Sequence, residues 1–170
     1  RVTEIVKDCE YVIHNSGIAH WESNGKVVGE LSEKVFKDMR DEYEVNGLAP
    51  LRMLDALVRN SVLKRGGKFG VITSRMGSIA DGSGKYYGYR GSKAYLNMTM
   101  NMAAKDLASS GVAVGILHPG MVATDMTAAF GGGISAEESA NGIWDKMQNV
   151  LNTSNTGTFW HACTGEIIPW

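Results

Sequence analysis

The sequence predicts an α/β fold, a parallel β-sheet with helices on both faces. Short apolar runs alternate along the chain with stretches of helical periodicity, which is the pattern of parallel strands joined by crossover helices. The run over residues 112–118 is almost continuously apolar, as expected of a strand covered on both faces. The chain has 170 residues without a repeat or an evident linker, so we predict a single domain over residues 1–170.

The composition argues against several classes of partner. Hydrophobic residues make up 44% of the chain and charged residues 21%, the balance of an ordinary globular domain. The net charge of −1 gives no basic surface for nucleic acid, and no apolar run is long enough for a membrane span. Cys9 and Cys163 lack metal-ligand spacing, so we expect free thiols, no metal site, and a cytoplasmic or other reducing soluble compartment.

The first half of the chain predicts one strand and two helices. Residues 11–14 form a short apolar run that ends in an Asn-Ser-Gly turn, which indicates a buried strand. Residues 32–43 have helical spacing, with a serine as N-cap. The Val-Asn-Gly of residues 45–47 is expected to interrupt this helix. A second helical stretch then runs over residues 49–62, with a proline near its start.

The second half continues the alternation. The Arg-Gly-Gly of residues 65–67 is expected to be a break between elements, and Gly111 has the position of a helix C-terminal stop. A Ser-x-x-Glu capping pattern begins the last helix. The predicted elements are a strand at 68–74, a loop at 77–88, a helix at about 89–108, a strand at 112–118, a loop at 124–133, a helix from 135 to about 151 and a strand at 157–161.

Tyr89 and Lys93 carry the first candidate chemistry. Residues four apart lie on the same face of a helix, so the phenol and the ammonium are expected to be neighbours. A nearby ammonium favours phenolate and lowers the pKa of tyrosine, which would let Tyr89 exchange a proton with an alcohol or an alkoxide. The alternative is an amphipathic helix whose lysine faces solvent.

Turn residues follow three predicted strands and are expected to meet at one rim of the sheet, where parallel sheets bind ligands. Ser74 ends the second strand and could donate to a carbonyl oxygen, although Ser78 in the same loop is a rival. Asn15 and Gly17 follow the first strand, and a Pro-Gly pair follows the third. Asn46 lies at the helix break, where freed backbone groups can hold water. Simple turn or helix-ending roles are the alternatives for each.

Taken together, the sequence resembles the short-chain dehydrogenase/reductase family, in its small carbonyl-reductase-like branch. The order and spacing of the motifs agree over nearly the whole chain. The matching motifs are His14-Asn15-Ser16-Gly17, Val45-Asn46, Ile72-Thr73-Ser74, Tyr89-Arg90-Gly91-Ser92-Lys93, Pro119-Gly120 and Thr124-Asp125-Met126.

The resemblance implies a role for each catalytic candidate. Tyr89 would be the general acid/base, and Lys93 would lower its pKa and hydrogen-bond the nicotinamide ribose. Ser74 would orient the substrate oxygen, and Asn46 would anchor a water in the proton relay.

The resemblance also implies a cofactor, NAD or NADP, and a small carbonyl or alcohol substrate. Besides Tyr89 and Lys93, the residues implied to contact the cofactor are Asn15, Gly17, Pro119, Gly120, Val122 and Thr124.

The chain also departs from the family pattern, because no glycine-rich phosphate-binding turn precedes Asn15. We therefore expect the C-terminal part of a doubly wound Rossmann-like fold, with the first strands absent. The edge of the first predicted strand would then be bare. A longer native chain, a partner chain on this edge, or a remnant of the fold would each account for it.

Two functions follow. The first is an NAD(P)-dependent oxidoreductase; the alternative is a non-enzymatic structural or accessory subunit derived from this family. The resemblance implies a homo-oligomer in which the helices over residues 49–62 and 89–108 form a four-helix bundle between two copies.

Overall fold

A computed structural model of the chain describes residues 8–170 and contains a four-stranded parallel sheet. The strands lie side by side in chain order: β1 (Cys9–His14), β2 (Leu63–Ile72), β3 (Ala113–His118) and β4 (Phe159–His161). This all-parallel sheet confirms the predicted α/β class. Residues 1–7 of the predicted domain lie outside the described residues.

Among residues 8–170, five α-helices connect or flank the strands: α1 (Trp21–Asn24), α2 (Glu33–Glu42), α3 (Ala49–Arg59), α4 (Tyr87–Leu107) and α5 (Ala136–Asp145). Ser32 and Ser135 accept backbone N–H groups at the starts of α2 and α5, as the capping patterns predict. Gly111 has a φ of +78° just after the short 3₁₀ turn that follows α4, which confirms it as a stop.

The sheet is covered on both faces. On one face, Phe69 and Ile116 of the sheet pack with Leu54 of α3 and with Leu96 and Met100 of α4, and all five are almost fully buried. On the other face, a second buried cluster packs around the segment that follows α5; it contains Ala113, Leu117, Met147, Leu151 and Trp160. Apolar side chains on both faces explain the almost continuous apolar sequence of β3.

The predicted break at Arg65, Gly66 and Gly67 is wrong, because β2 begins at Leu63 and contains these residues. Leu63 pairs with Cys9, but the next pair joins Lys68 to Tyr11, so the residues between bulge out of the ladder. Gly66 has a φ of +89°, and its N–H donates to the Gly111 carbonyl at 2.8 Å. The glycines therefore shape a bulge inside the strand.

The predicted interruption at residues 45–47 is also wrong in form. Tyr43–Leu48 is a π-helical turn that joins α2 to α3 without a break. Gly47 packs against the ring of Tyr95, where an added methyl would lie 2.6 Å from Cδ1. The helix widens here because Asn46 and Gly47 are buried against other elements, and such π-turns are common at functional sites.

Several predicted boundaries move by a few residues. The strand predicted to reach residue 74 ends at Ile72, and the helix predicted to reach residue 62 ends at Arg59. A 3₁₀ turn at Arg75–Gly77 leads into the first predicted loop, and the second predicted loop contains a 3₁₀ turn at Asp125–Phe130.

β1 lies at one edge of the described sheet, and its outer side has no partner strand among residues 8–170. Within that range, none of the helices has the length and hydropathy to cross a membrane.

Candidate active site

The carboxyl ends of β1, β2 and β3 open into one cleft of about 1170 Å³. Almost all the predicted site residues line it, which confirms that the turns after these strands meet at one rim. The lining residues among them are Asn15, Gly17, Ser74, Tyr89, Lys93, Pro119, Gly120, Val122 and Thr124. Asn46 is fully buried behind the wall of the cleft.

Ser74 and Tyr89 lie next to each other in this cleft. β2 ends two residues before Ser74, and α4 presents Tyr89 in its first turn. The Ser74 hydroxyl lies close enough to the Tyr89 phenol to affect its pKa. It also accepts the Met76 N–H at 3.1 Å, which fixes the turn after the strand. By contrast, the rival Ser78 accepts the Asp81 N–H and does not line the cleft.

Lys93 lies one helical turn beyond Tyr89, and only 4% of it is exposed. Its Nζ donates to the Ile72 carbonyl at 3.0 Å and lies 5.8 Å from the centroid of the Tyr89 ring. Burial lowers the pKa of Lys93 to about 8. These contacts exclude the alternative of a solvent-facing lysine.

The expected lowering of the Tyr89 pKa is wrong for this structure. Burial raises the pKa of the phenol above its ordinary value, the nearby Ser74 hydroxyl partly opposes this, and the charge of Glu42 adds to the rise. The physical reason is desolvation, because removing the phenolate from water costs more than the neighbouring groups return. Tyr89 therefore holds its proton at neutral pH.

The Asn46 side chain hydrogen-bonds both the turn after β1 and helix α4. Its Oδ1 accepts the Ile18 N–H at 2.8 Å, and its Nδ2 donates to the Ile18 carbonyl at 2.9 Å and to the Ser92 hydroxyl at 3.0 Å. A methyl on Gly17 would lie 3.4 Å from both Asn46 Oδ1 and Lys93 Nζ, so the chain runs close to the lysine here. The water-anchoring role of Asn46 stays a prediction.

The Pro119–Thr124 segment is held in place by contacts with the chain that follows it. The Pro119 carbonyl accepts the Ser139 hydroxyl at 2.9 Å. Val122 forms a bridge with Ile134, and the Val122 carbonyl accepts the Thr127 hydroxyl. The segment thus forms a fixed part of the cleft wall.

Trp21 on α1 was not predicted from the sequence. The centroid of its ring lies 5.1 Å from that of Tyr89 and 5.3 Å from that of Phe130. Its Nε1 donates to the Met126 carbonyl at 2.8 Å. Tyr86 contacts the same indole at 5.9 Å. The four-residue helix α1 is too short to show periodicity. The one sequence feature that could have indicated Trp21 as a site residue is its position a few residues beyond the end of a strand.

His118 at the end of β3 also lines the cleft and was not predicted. Its ring lies 4.9 Å from that of His161, and burial, the main cause, lowers the pKa of His118 to about 4. His118 is therefore a neutral imidazole at physiological pH.

One group in the described part of the chain has metal-ligand character, formed by His20, Asp38 and Asp41. Both carboxylates already pair with lysines, Asp38 with Lys34 at 2.8 Å and Asp41 with Lys37 at 2.6 Å. None of the three potential ligands lines the cleft.

Replacing Gly77 with alanine is expected to destabilise the protein by about 1–3 kcal/mol. A methyl at this position would lie 2.8 Å from the Lys93 carbonyl carbon and 2.9 Å from Asn97 Nδ2, so the Ser74 turn would have to move away from α4. The free energy of unfolding from urea denaturation measures the effect. Gly84→Ala in the same loop is the matched control, because a methyl there meets nothing within 4 Å. Equal stability of the two variants would contradict this packing.

Comparison with protein families gives a match to the short chain dehydrogenase model over residues 1–134. A curated relative, 1-hydroxy-2-glutathionyl-2-methyl-3-butene dehydrogenase of Rhodococcus sp. (strain AD45), is 36% identical over 174 residues, covering 100% of this chain and 72% of the relative. The protein named C-signal of Myxococcus xanthus is 34% identical over 170 residues, covering 95% of this chain and 92% of that protein.

Solved structures show the same fold. An NADPH-bound carbonyl reductase from chicken fatty liver superposes with a TM-score of 0.80 at 26% identity, covering 96% of this chain and 67% of that one. A carbonyl reductase from Pseudomonas aeruginosa PAO1 in complex with NADP gives 0.76 at 26% identity, covering 99% and 70%. The chain belongs to the short-chain dehydrogenase family.

Proposed function

We propose that this chain carries the proton-transfer and nicotinamide-facing part of an NAD(P)-dependent oxidoreductase that interconverts a carbonyl compound and an alcohol. One observation supports it above all. Ser74, Tyr89 and Lys93 line the same open cleft, with the buried Lys93 one helical turn from Tyr89 and the Ser74 hydroxyl close enough to the phenol to affect its pKa. Two hydroxyls at one point can both bind a single substrate oxygen, which is what carbonyl reduction requires.

The proton chemistry follows from the state of these groups. Ser74 donates a hydrogen bond to the carbonyl oxygen and orients it. Tyr89, whose pKa is raised by burial, keeps its proton at neutral pH and gives it to the oxygen as negative charge develops there. Lys93 is mostly an ammonium below its pKa of about 8, and its positive charge favours the phenolate left after transfer.

The residues present fit the nicotinamide end of the cofactor. Lys93 uses one N–H on the Ile72 carbonyl and has others for ribose hydroxyls, and the backbone at Gly17 passes close to it. The Pro119–Thr124 segment lines the same cleft. When bound, the nicotinamide would supply hydride to the carbonyl carbon or accept it from the alcohol. NADP and NADPH in the related carbonyl reductases support this assignment.

The part of the cleft near Trp21 and Tyr89 favours an apolar substrate. Trp21, Met126 and Phe130 line the cleft near Tyr89 and present apolar side chains to it. The named substrate of the Rhodococcus relative has a methylbutene part, which such side chains could contact, and a glutathionyl part, which is polar.

The direct test is NAD(P)H consumption with a panel of aldehydes and ketones, at millimolar cofactor. We expect a substrate-dependent loss of NAD(P)H absorbance, faster for apolar carbonyl compounds than for short polar ones. Absence of turnover with both cofactors across the panel would count against the oxidoreductase.

We also expect the 170-residue chain to bind NADP(H) weakly. The residues above would contact the nicotinamide end, whereas the sequence before Asn15 offers no glycine-rich turn for the pyrophosphate. Isothermal titration calorimetry should give a dissociation constant in the millimolar range. Tight, stoichiometric binding would contradict this expectation.

A non-enzymatic role is the second candidate. The observation in its favour is the match to the protein named C-signal. That name describes a signal and not an enzyme, and the match spans 92% of that protein's length. Turnover that depends on Tyr89 would argue against it.

A homo-oligomer, or a partner on the β1 edge, stays a proposal. Met98 and Met102 on α4 are 62% and 55% exposed, whereas Met100 between them is fully buried. Exposed methionines on the helix of the predicted four-helix bundle are compatible with a packed interface between copies.

A further inference from the structure

Helix α4, which carries Tyr89 and Lys93, begins without a cap of its own. Tyr86 occupies the N-cap position in a left-handed conformation, with a φ of +58°, and its side chain makes no capping hydrogen bond. The first N–H groups of a helix have no partner within the helix and need one from outside. Tyr89 is the third residue of α4, so its N–H is one of these groups.

Asn24, at the end of α1, supplies that cap from 65 residues away. Its Oδ1 accepts the Tyr89 N–H at 3.0 Å, and its backbone carbonyl accepts the Tyr86 N–H at 2.7 Å. Only 3% of Asn24 is exposed, so water does not compete for these contacts. The cap therefore acts on the same residue whose phenol lies in the cleft.

Glu42, at the end of α2, sets the orientation of the Asn24 amide. Its Oε1 accepts the Asn24 Nδ2 at 2.6 Å and the His20 N–H at 2.8 Å, and Glu42 is 1% exposed. The Asn24 Nδ2 also donates to the His20 carbonyl at 3.1 Å. With the amide nitrogen fixed by two acceptors, the amide oxygen must point to Tyr89.

The first turn of α4 is shaped to receive this arrangement. A methyl on Gly88 would overlap the Glu42 carboxylate, so the carboxylate lies directly against the helix start. Negative charge is favourable at the N-terminus of a helix. α1 also places Trp21 on the Tyr89 ring, so one short helix contacts both the backbone and the side chain of Tyr89.

We propose that Asn24, oriented by the buried Glu42, is a positioning residue that caps α4 from outside and fixes Tyr89 in the cleft. Its effect on turnover rests on the proposed function, but its effect on the helix start does not.

The test measures amide hydrogen exchange and kinetics in parallel on the full chain. In Asn24→Ala we expect exchange at residues 86–89 to become about five- to tenfold faster, the loss of one N-cap, with the rest of α4 unchanged. We expect kcat to fall about 10- to 100-fold, because Tyr89 loses its alignment. The KM for NADPH should change by less than about threefold, because Lys93 and the Pro119–Thr124 wall remain.

A pair of charge variants keeps the test decisive if Asn24→Ala does not fold. Asn24→Asp keeps the acceptor but places a second carboxylate against Glu42, so we expect the same losses. Adding Glu42→Gln restores a donor between the two side chains and should recover most of the exchange protection. Glu22→Gln, an exposed residue of α1, is the matched control and should change nothing.

Two results would overturn the proposal. One is unchanged exchange at residues 86–89 in Asn24→Ala, whatever happens to turnover. The other is faster exchange with a kcat equal to that of the parent protein. Amide exchange needs no cofactor. If the parent protein is inactive, the oxidoreductase proposal is contradicted, but the effect of Asn24 on exchange at residues 86–89 can still be measured.

Discussion

Tyr89→Phe is expected to lower kcat for carbonyl reduction by about 1,000-fold, within the range found for loss of a general acid. The substitution removes one oxygen and keeps the ring, so Trp21 retains its contact with the aromatic face at this position. It also removes the hydroxyl that lies beside the Ser74 hydroxyl in the cleft. The developing alkoxide would then have no proton donor of suitable strength in reach, and water would have to replace it.

Turnover is measured as NAD(P)H consumption with a carbonyl substrate that the parent protein accepts. Tyr87→Phe is the matched control, because Tyr87 lies on the same helix, is 38% exposed and does not line the cleft. The KM for the cofactor should stay close to that of the parent protein. Full activity of Tyr89→Phe would remove Tyr89 from its assigned role and, with it, the mechanism.

The parts of the site that the sequence predicted share a physical basis. Ser74, Asn15 and Pro119 each follow an apolar run, and the carboxyl ends of parallel strands necessarily meet at one rim. The spacing of Tyr89 and Lys93 places them on one helix face without knowledge of the rest of the fold. Local periodicity and strand order were therefore sufficient to bring these residues together.

The parts that the sequence did not predict depend on contacts between distant segments. Asn24 contacts Tyr89 across 65 residues, and no pattern around either residue indicates the other. The π-helical turn at Tyr43–Leu48 depends on Ile18 and Tyr95, which pack on it from elsewhere in the chain. Such tertiary contacts override local helix and turn preferences.

The pKa of Tyr89 illustrates the same limit in energetic terms. The sequence shows a lysine one turn away, and from that alone a lowered pKa follows. Whether the charge or the burial dominates depends on how much water the folded chain removes from both groups. Burial dominates here, so the pKa of Tyr89 is raised and that of Lys93 is lowered.

Lys93→Met is expected to make the protein more stable at neutral pH while abolishing turnover. Lys93 is 4% exposed and has no carboxylate partner among the described residues. Burial lowers its pKa from 10.5 to about 8, so keeping the ammonium buried at pH 7 costs about 3 kcal/mol. Methionine removes that cost and leaves the Ile72 carbonyl without its donor, a loss of about 1 kcal/mol. The net gain in the free energy of unfolding is about 2 kcal/mol.

The pH dependence separates this explanation from simple repacking. For the parent protein, the unfolded chain binds the Lys93 proton more tightly than the folded chain does. This lysine's contribution to stability therefore rises with pH from about 8 to 10.5 and is lost as pH falls through that range. Urea denaturation should show the Lys93→Met advantage at neutral pH and a shrinking one as the pH approaches 10.5. Lys105→Met, an exposed lysine of the same helix, should show neither effect. A Lys93→Met variant less stable than the parent at pH 7, or an advantage independent of pH, would mean that the buried ammonium is not the strained group that the site maintains for function.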